Sequence, residues 1–150
     1  MLRDDINTAL KEAMKSGQAR RVSTLRLINA AILARETSGA ERLSLSDPEI
    51  VDVMQKMVKQ RHESLDIYAK AGRTELADQE REEIEIISAY LPKQMSDLEA
   101  ASAISALIRE IEAETLKDMG RTMAALKQRF AGRMDFGKAG AQVKKLLGGS

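Results

Sequence analysis

One imidazole, one cluster of carboxylates and two runs of cations are the parts of this 150-residue chain whose types and spacing can do chemistry. The imidazole is His62, in Lys59-Gln60-Arg61-His62-Glu63-Ser64. A general base needs an orienting acid and a nucleophile close by. A lone helical histidine among charged neighbours reads more simply as an exposed side chain. The carboxylates are Glu80, Glu82, Glu83 and Glu85. Glu82 and Glu85, three residues apart, share a helix edge and can hold a divalent ion or act as acid and base. Di-metal helical bundles, however, draw Glu-x-x-His elements from two helices, and this chain has none. The cluster therefore reads as a solvated face beside Arg73 and Arg81. His62 and Glu83 stand as the candidate catalytic groups. No metal site and no cofactor are expected.

The cations are more informative. The formal net charge of +1 hides segregation along the chain. Residues 1–46 carry net +3, 47–72 net −1, 73–91 net −4, 92–115 net −3 and 116–150 net +6. The stretch from Lys15 to Arg35 adds Arg20, Arg21 and Arg26, with no acid. The C-terminal set is Lys117, Arg121, Lys127, Arg129, Arg133, Lys138, Lys144 and Lys145. Such a segment attracts phosphates and gains affinity by releasing their counterions. Aromatics are only 3% of the chain, so stacking platforms for single strands are nearly absent. Binding would then be to backbone and shape. The plainer alternative is a solvated helical surface, or docking against the acidic middle.

Composition narrows the remaining classes. With no cysteine and one histidine there is no disulfide scaffold, cysteine-ligated zinc, multi-histidine metal site or thiol catalysis. Apolar content of 43% is too high for a disordered chain. No apolar run approaches the roughly 20 residues of a membrane span, and Met1-Leu2-Arg3-Asp4-Asp5 does not resemble a signal peptide. These features predict a soluble cytoplasmic or organelle-matrix protein with no membrane partner.

Apolar residues recur at spacings of three and four, which predicts helices throughout. Leu2, Ile6, Leu10, Ala13 and Met14 give a first helix, broken at Ser16-Gly17. Val22, Leu25, Ile28 and Ile32 give a second, its stripe widened by Leu27 and Ala31. Ser46-Asp47-Pro48-Glu49 is a capping box with proline in the first turn. The third helix follows, with Ile50, Met54, Met57, Leu65 and Tyr68 on one face, ending at Gly72. A fourth carries Leu76, Ile84, Ile87 and Leu91, and Pro92 stops it. Ser96-Asp97-Leu98-Glu99 is a second capping box, opening a helix with Ala101, Ile104, Ile108 and Ile111 inward. Met119, Met123, Leu126 and Phe130 mark the sixth helix. Asp135 can cap a last one bearing Ala139, Val143 and Leu146. The expected fold is all-α: an N-terminal domain of about four helices over residues 1–92 and a three-helix domain over 96–148. Gly120 marks a helix start or a close backbone approach, and Gly132 a helix C-cap and tight turn.

Several of these segments resemble the YqeY-like proteins. They are Lys56 to Ser64, Tyr68-Ala69-Lys70-Ala71-Gly72-Arg73, Leu76 to Glu80 and Tyr90-Leu91-Pro92-Lys93-Gln94-Met95. Asp118-Met119-Gly120-Arg121, Leu126-Lys127, Gly132-Arg133-Met134-Asp135 and Leu25 to Ile32 fit as well. The resemblance covers nearly the whole chain. It marks Arg61, Tyr68, Gly72, Arg73, Tyr90, Pro92, Gly120, Gly132 and Asp135 as motif residues. It departs at Leu33, where the family often has Lys, and at Ala124 and Gly140, where Gly and Ser are common. The resemblance implies that the C-terminal part is similar to the tail of GatB, a subunit of the glutamine-dependent amidotransferase acting on mischarged Glu-tRNA or Asp-tRNA. That tail helps to hold tRNA. By inheritance the resemblance also implies carbon–nitrogen ligase activity with glutamine as amido-N-donor. Yet neither a Ser–Ser–Lys amidase segment nor a metal-ligating cradle can be traced here. The expected function is a tRNA-binding or adaptor module, with an amidotransferase accessory enzyme and a protein-interaction adaptor as alternatives. Expected partners are tRNA and aminoacyl-tRNA synthetase or amidotransferase subunits.

Overall fold

In a computed structural model, described over residues 1–148, every regular element is helical. Seven α-helices run in the order α1 (Leu2–Lys15), α2 (Ala19–Glu36), α3 (Asp47–Lys70), α4 (Thr74–Ser88), α5 (Asp97–Glu110), α6 (Met119–Arg129) and α7 (Phe136–Leu147). A single 3-10 turn, Leu116–Asp118, leads into α6. The all-α reading of the periodicity therefore holds. The chain divides into two compact units, residues 1–91 and the segment from Pro92 onward.

The first unit is built around α3, the longest helix. Its start is fixed as the sequence requires: Ser46 Oγ accepts from the Glu49 amide, and the Glu49 carboxylate accepts from the Ser46 amide. Such a box contributes about 1 kcal/mol. At the far end Gly72 takes φ +71. Its amide bonds to Ala69 and the Arg73 amide to Tyr68, the paired reversal that lets α4 fold back along α3. Ile6, Ala9 and Ala13 of α1, Leu25, Ile28 and Ile32 of α2, Ile50, Met54 and Met57 of α3, and Ile87 of α4 close a common core. A buried carboxylate seals one end. Glu36 accepts from the Leu45 amide at 2.9 Å and pairs with Arg3, so the 37–46 loop is pinned to α1. Three expected core positions differ. Met14 and Leu27 are exposed while Ala13 and Thr24 point inward, and in the last helix Leu146 is exposed while Leu147 is buried.

The second unit packs Ile104 and Leu107 of α5, Leu126 of α6, and Ala139, Val143 and Leu147 of α7 around Ala113 and Met134. Ser96 and Glu99 form the expected capping box on α5. Asp135 Oδ1 accepts from the Gly137 and Lys138 amides and so caps α7. This unit begins before residue 96. The Met95 amide donates to the Arg133 carbonyl, Gln94 Nε2 to the Gly132 carbonyl, and Arg133 Nε to the Lys93 carbonyl. Pro92–Met95 is therefore a strap laid on the Gly132–Asp135 turn rather than a free linker.

α5 ends in the same reversal seen at Gly72, with Glu112 in the glycine position at φ 56. A side chain in the left-handed region costs roughly 1 kcal/mol. Glu112→Gly is expected to stabilise the second unit by up to about 1 kcal/mol, less the extra freedom glycine adds to the unfolded chain. Thermal unfolding should show its transition raised by a few degrees, roughly 4 °C or more per kcal/mol for so small a unit.

Candidate nucleic-acid interface

The two candidate catalytic groups lie in the first unit and serve different ends. His62 is exposed on α3. Glu83, on α4, is buried at 6% exposure. Its Oε2 accepts from Arg61 Nε at 3.0 Å and its Oε1 from Gln79 Nε2 at 3.2 Å. Arg61 spends a further donor on the Met57 carbonyl. The expectation of a solvated carboxylate face thus fails at Glu83. The neighbouring acids divide accordingly. Glu82 pairs with Arg20 on the surface, and Arg81 pairs with Asp78. Burial, with the Glu83 charge adding to it, pushes the Glu80 carboxyl above the ordinary range. Among the described residues no group of three His, Asp or Glu side chains converges as a metal site.

Arg61 lies eleven residues before Gly72 and Glu83 eleven after it. An antiparallel hairpin centred on Gly72 brings those two positions level. The signal for the pair was present in the chain, in the turn glycine and two opposite charges equidistant from it. The motif residue Tyr90 is likewise structural: its hydroxyl accepts from Arg21 Nη2 at 3.0 Å.

In the second unit the eight C-terminal cations separate into two groups. The three arginines are engaged internally. Arg121 Nε bonds Asp118 Oδ1 at 3.1 Å, while its other nitrogens donate to the Ile111 and Glu112 carbonyls at the end of α5. A cation there satisfies orphan carbonyls and complements the helix dipole. Arg129 makes a two-pronged pair with Glu110, and Arg133 holds the strap through Lys93. The five lysines behave differently. Lys117, Lys127, Lys138, Lys144 and Lys145 are exposed, and none has an ion-pair partner among the described residues. On α7, Lys138 and Lys145 are seven residues apart and so share the side opposite buried Ala139 and Val143. Gly120 sits in the first turn of α6 with open space where a Cβ would be, so it is a helix-start residue and not a close-approach site.

The carboxylates of this unit are largely spent on structure. Glu99 and Asp135 cap helices, Glu110 binds Arg129, and Asp118 binds Arg121. Asp118 also accepts from the Glu114 and Thr115 amides. Those two amides, with Arg121 helping, hold its carboxyl down at about 2. The unfolded-state value is near 3.8, so the stabilisation is complete above about pH 5 and is lost as pH falls through that range toward 2. Acid unfolding of the second unit, compared with an Asp118→Asn variant, checks this. The two should differ at neutral pH and converge near pH 2.

The chain is thus a two-unit helical protein whose buried charges hold helices together and whose second unit carries exposed lysines without an ion-pair partner among the described residues. The chain belongs to the YqeY-like family, whose sequence model matches residues 3–147. It is similar to altered inheritance of mitochondria protein 41 of Candida glabrata, 32% identical over 55% of this chain and 45% of that protein. The protein of that name from Eremothecium gossypii is 34% identical over 63% of this chain and 49% of its own length. An uncharacterized protein of Schizosaccharomyces pombe is 27% identical over 62% of this chain and 74% of its own. The chain thus spans about half the length of the mitochondrial relatives it matches. Among the described residues no helix is long and apolar enough to cross a membrane.

Proposed function

We propose that this chain is a tRNA-binding adaptor that acts through its second unit and has no catalytic centre of its own. The observation that carries the reading is the contrast in that unit between engaged arginines and free lysines. Residues 92–150 hold ten cations and seven acids, net +3. Four of those acids are committed to caps or arginines. With those four acids and the three engaged arginines set aside, seven cations and three acids remain, net +4. Lys117, Lys127, Lys138, Lys144 and Lys145 contact phosphates in this reading, while Arg121, Arg129 and Arg133 keep the lysine-bearing helices in place. The GatB-like tail that the family resemblance implies makes tRNA the favoured nucleic acid in this reading, and aminoacyl-tRNA synthetase or amidotransferase subunits the favoured protein partners. The site of action in this reading is the cytoplasm, or the mitochondrion as the relatives' names suggest.

A gel-shift titration with tRNA at several salt concentrations tests the reading. Saturable binding that weakens with salt supports it, and absence of binding even at low salt overturns it. Glutamine hydrolysis, measured with and without aminoacyl-tRNA, separates the adaptor from an accessory enzyme. Glutaminase activity abolished by His62→Ala would overturn the non-catalytic reading.

A further inference from the structure

One face of α2 is apolar and open. Leu27 and Leu33 are 43% and 49% exposed, and Ala30 and Ala34 lie between and beside them in the exposed row. Ser23, Leu27, Ala30 and Ala34 follow one another at intervals of three and four, so they form a single ridge on the side away from Leu25, Ile28 and Ile32. Met14 of α1, 52% exposed, extends the ridge across the neighbouring helix, where its sulfur lies against Arg26. A helix apolar on both sides is expected to be covered on both. The alanines leave room for a second helix to approach closely, and the leucines supply the flanking contacts.

The charge on the α1 side of this ridge is mainly positive, while Arg20, seven residues before Leu27, is paired with Glu82 of α4. Between Glu12 and Glu36 the chain has no carboxylate, and Glu36 is buried against Arg3 and Leu45. Arg26 flanks the ridge on α2. Lys11 lies one turn from both Asn7, which bonds Asn29 of α2, and Met14, and so shares that edge of α1. Lys15 follows it at the same end. None of these three cations has an ion-pair partner among the described residues. Asp4 is the acid on the far end of the same edge of α1. The exposed ridge of α4 does not match as an occupant from a second copy, because Asp78, Glu82 and Glu85 bring charge without an apolar stripe.

We infer that the open face of α2 is a docking site for an amphipathic helix of a partner protein, one with an apolar stripe flanked by Asp and Glu. The apolar stripe would cover Leu27, Ala30, Leu33 and Ala34, and its acids would meet Arg26, Lys11 and Lys15. This places protein recognition on the first unit, independent of any nucleic-acid contact made by the second.

The test uses the full chain and a labelled helical peptide with a leucine stripe flanked by glutamates, read by fluorescence anisotropy at low salt. A control peptide has the same stripe flanked by lysines. Saturable binding of the acidic peptide at least tenfold tighter than the control is expected. Ala30→Glu and Leu27→Glu should each weaken it tenfold or more, with unchanged helicity and thermal transition because both positions are exposed. Arg26→Glu should narrow the difference between the two peptides. The inference is overturned by equal binding of both peptides, by acidic-peptide binding indifferent to Ala30→Glu and Leu27→Glu, or by no saturable binding. It is also overturned by a homodimer in sedimentation that Ala30→Glu dissociates, which would make a second copy the occupant, or by competition from tRNA for this face.

Discussion

Glu83→Ala lowers the stability of the first unit by about 3 kcal/mol, because it removes one half of a buried, hydrogen-bonded ion pair. The Arg61 and Glu83 side chains retain only 14% and 8% of their exposure. With the carboxylate gone, the guanidinium keeps the Met57 carbonyl and little else, and its charge stays out of water. Residual exposure of Arg61 puts the cost at the lower end of the usual 3–5 kcal/mol for such a loss. Glu83→Gln keeps an acceptor for Arg61 Nε and should cost less, about 1–3 kcal/mol. The double variant Arg61→Met, Glu83→Leu removes both charges and should recover most of the loss. Urea unfolding followed by far-UV circular dichroism gives the ordering, and native-state hydrogen exchange assigns it to α3 and α4. Equal midpoints for wild type and Glu83→Ala would show that the pair does not hold the two helices together. The ordering also separates this role from catalysis. A catalytic carboxylate would abolish activity in Glu83→Gln with the fold intact, whereas a clamp loses activity only as folded protein is lost.

The helices were legible because their signals are local. Ser46 with Glu49, Ser96 with Glu99, and Asp135 each name a helix start from three or four adjacent residues, and each is where the structure starts a helix. The glycine and proline breaks are local in the same sense. What was not legible depends on residues distant in sequence. Glu83 looks like one more member of an acidic run until α4 turns it against Arg61. The exposed hydrophobics Met14, Leu27 and Leu146 fit the apolar periodicity, but periodicity fixes only which residues share a face. It does not say whether another helix covers that face. The Pro92–Met95 segment reads as a linker because proline and short length are linker signals, while its bonds to Gly132 and Arg133 span about forty residues. The cations show the same limit. All eight count equally in the net +6 of residues 116–150. Only the folded positions of Asp118, Glu110 and the Ile111 and Lys93 carbonyls separate engaged arginines from available lysines.

Under the proposed tRNA binding, that separation sets the size and the pattern of the salt effect. Each phosphate neutralised by a lysine releases condensed counterions, giving a slope of roughly −0.7 to −0.9 in log affinity against log salt. If the five lysines all make such contacts, the total slope is about −4. Raising salt from about 50 to 200 mM should then weaken tRNA binding by roughly 10²- to 10³-fold. Replacing Lys127 and Lys144 together by Gln should reduce the slope by about two and leave the thermal transition of the second unit in place. Arg121→Ala should do the reverse. Its guanidinium is already committed to Asp118 and to the carbonyls of Ile111 and Glu112. Losing it should cost about 1 kcal/mol of unit stability, a figure kept low by its partial exposure, and leave the slope nearly unchanged. Filter binding across a salt series, paired with thermal unfolding of each variant, resolves the two patterns. A slope that falls by one in Arg121→Ala and stays fixed in the lysine variants would move the phosphate contacts from the lysines to the arginine that closes α5. It would also mean that the bonds at Asp118 and Ile111 open when the nucleic acid arrives. A slope that responds to neither set would remove the lysine face as the binding surface.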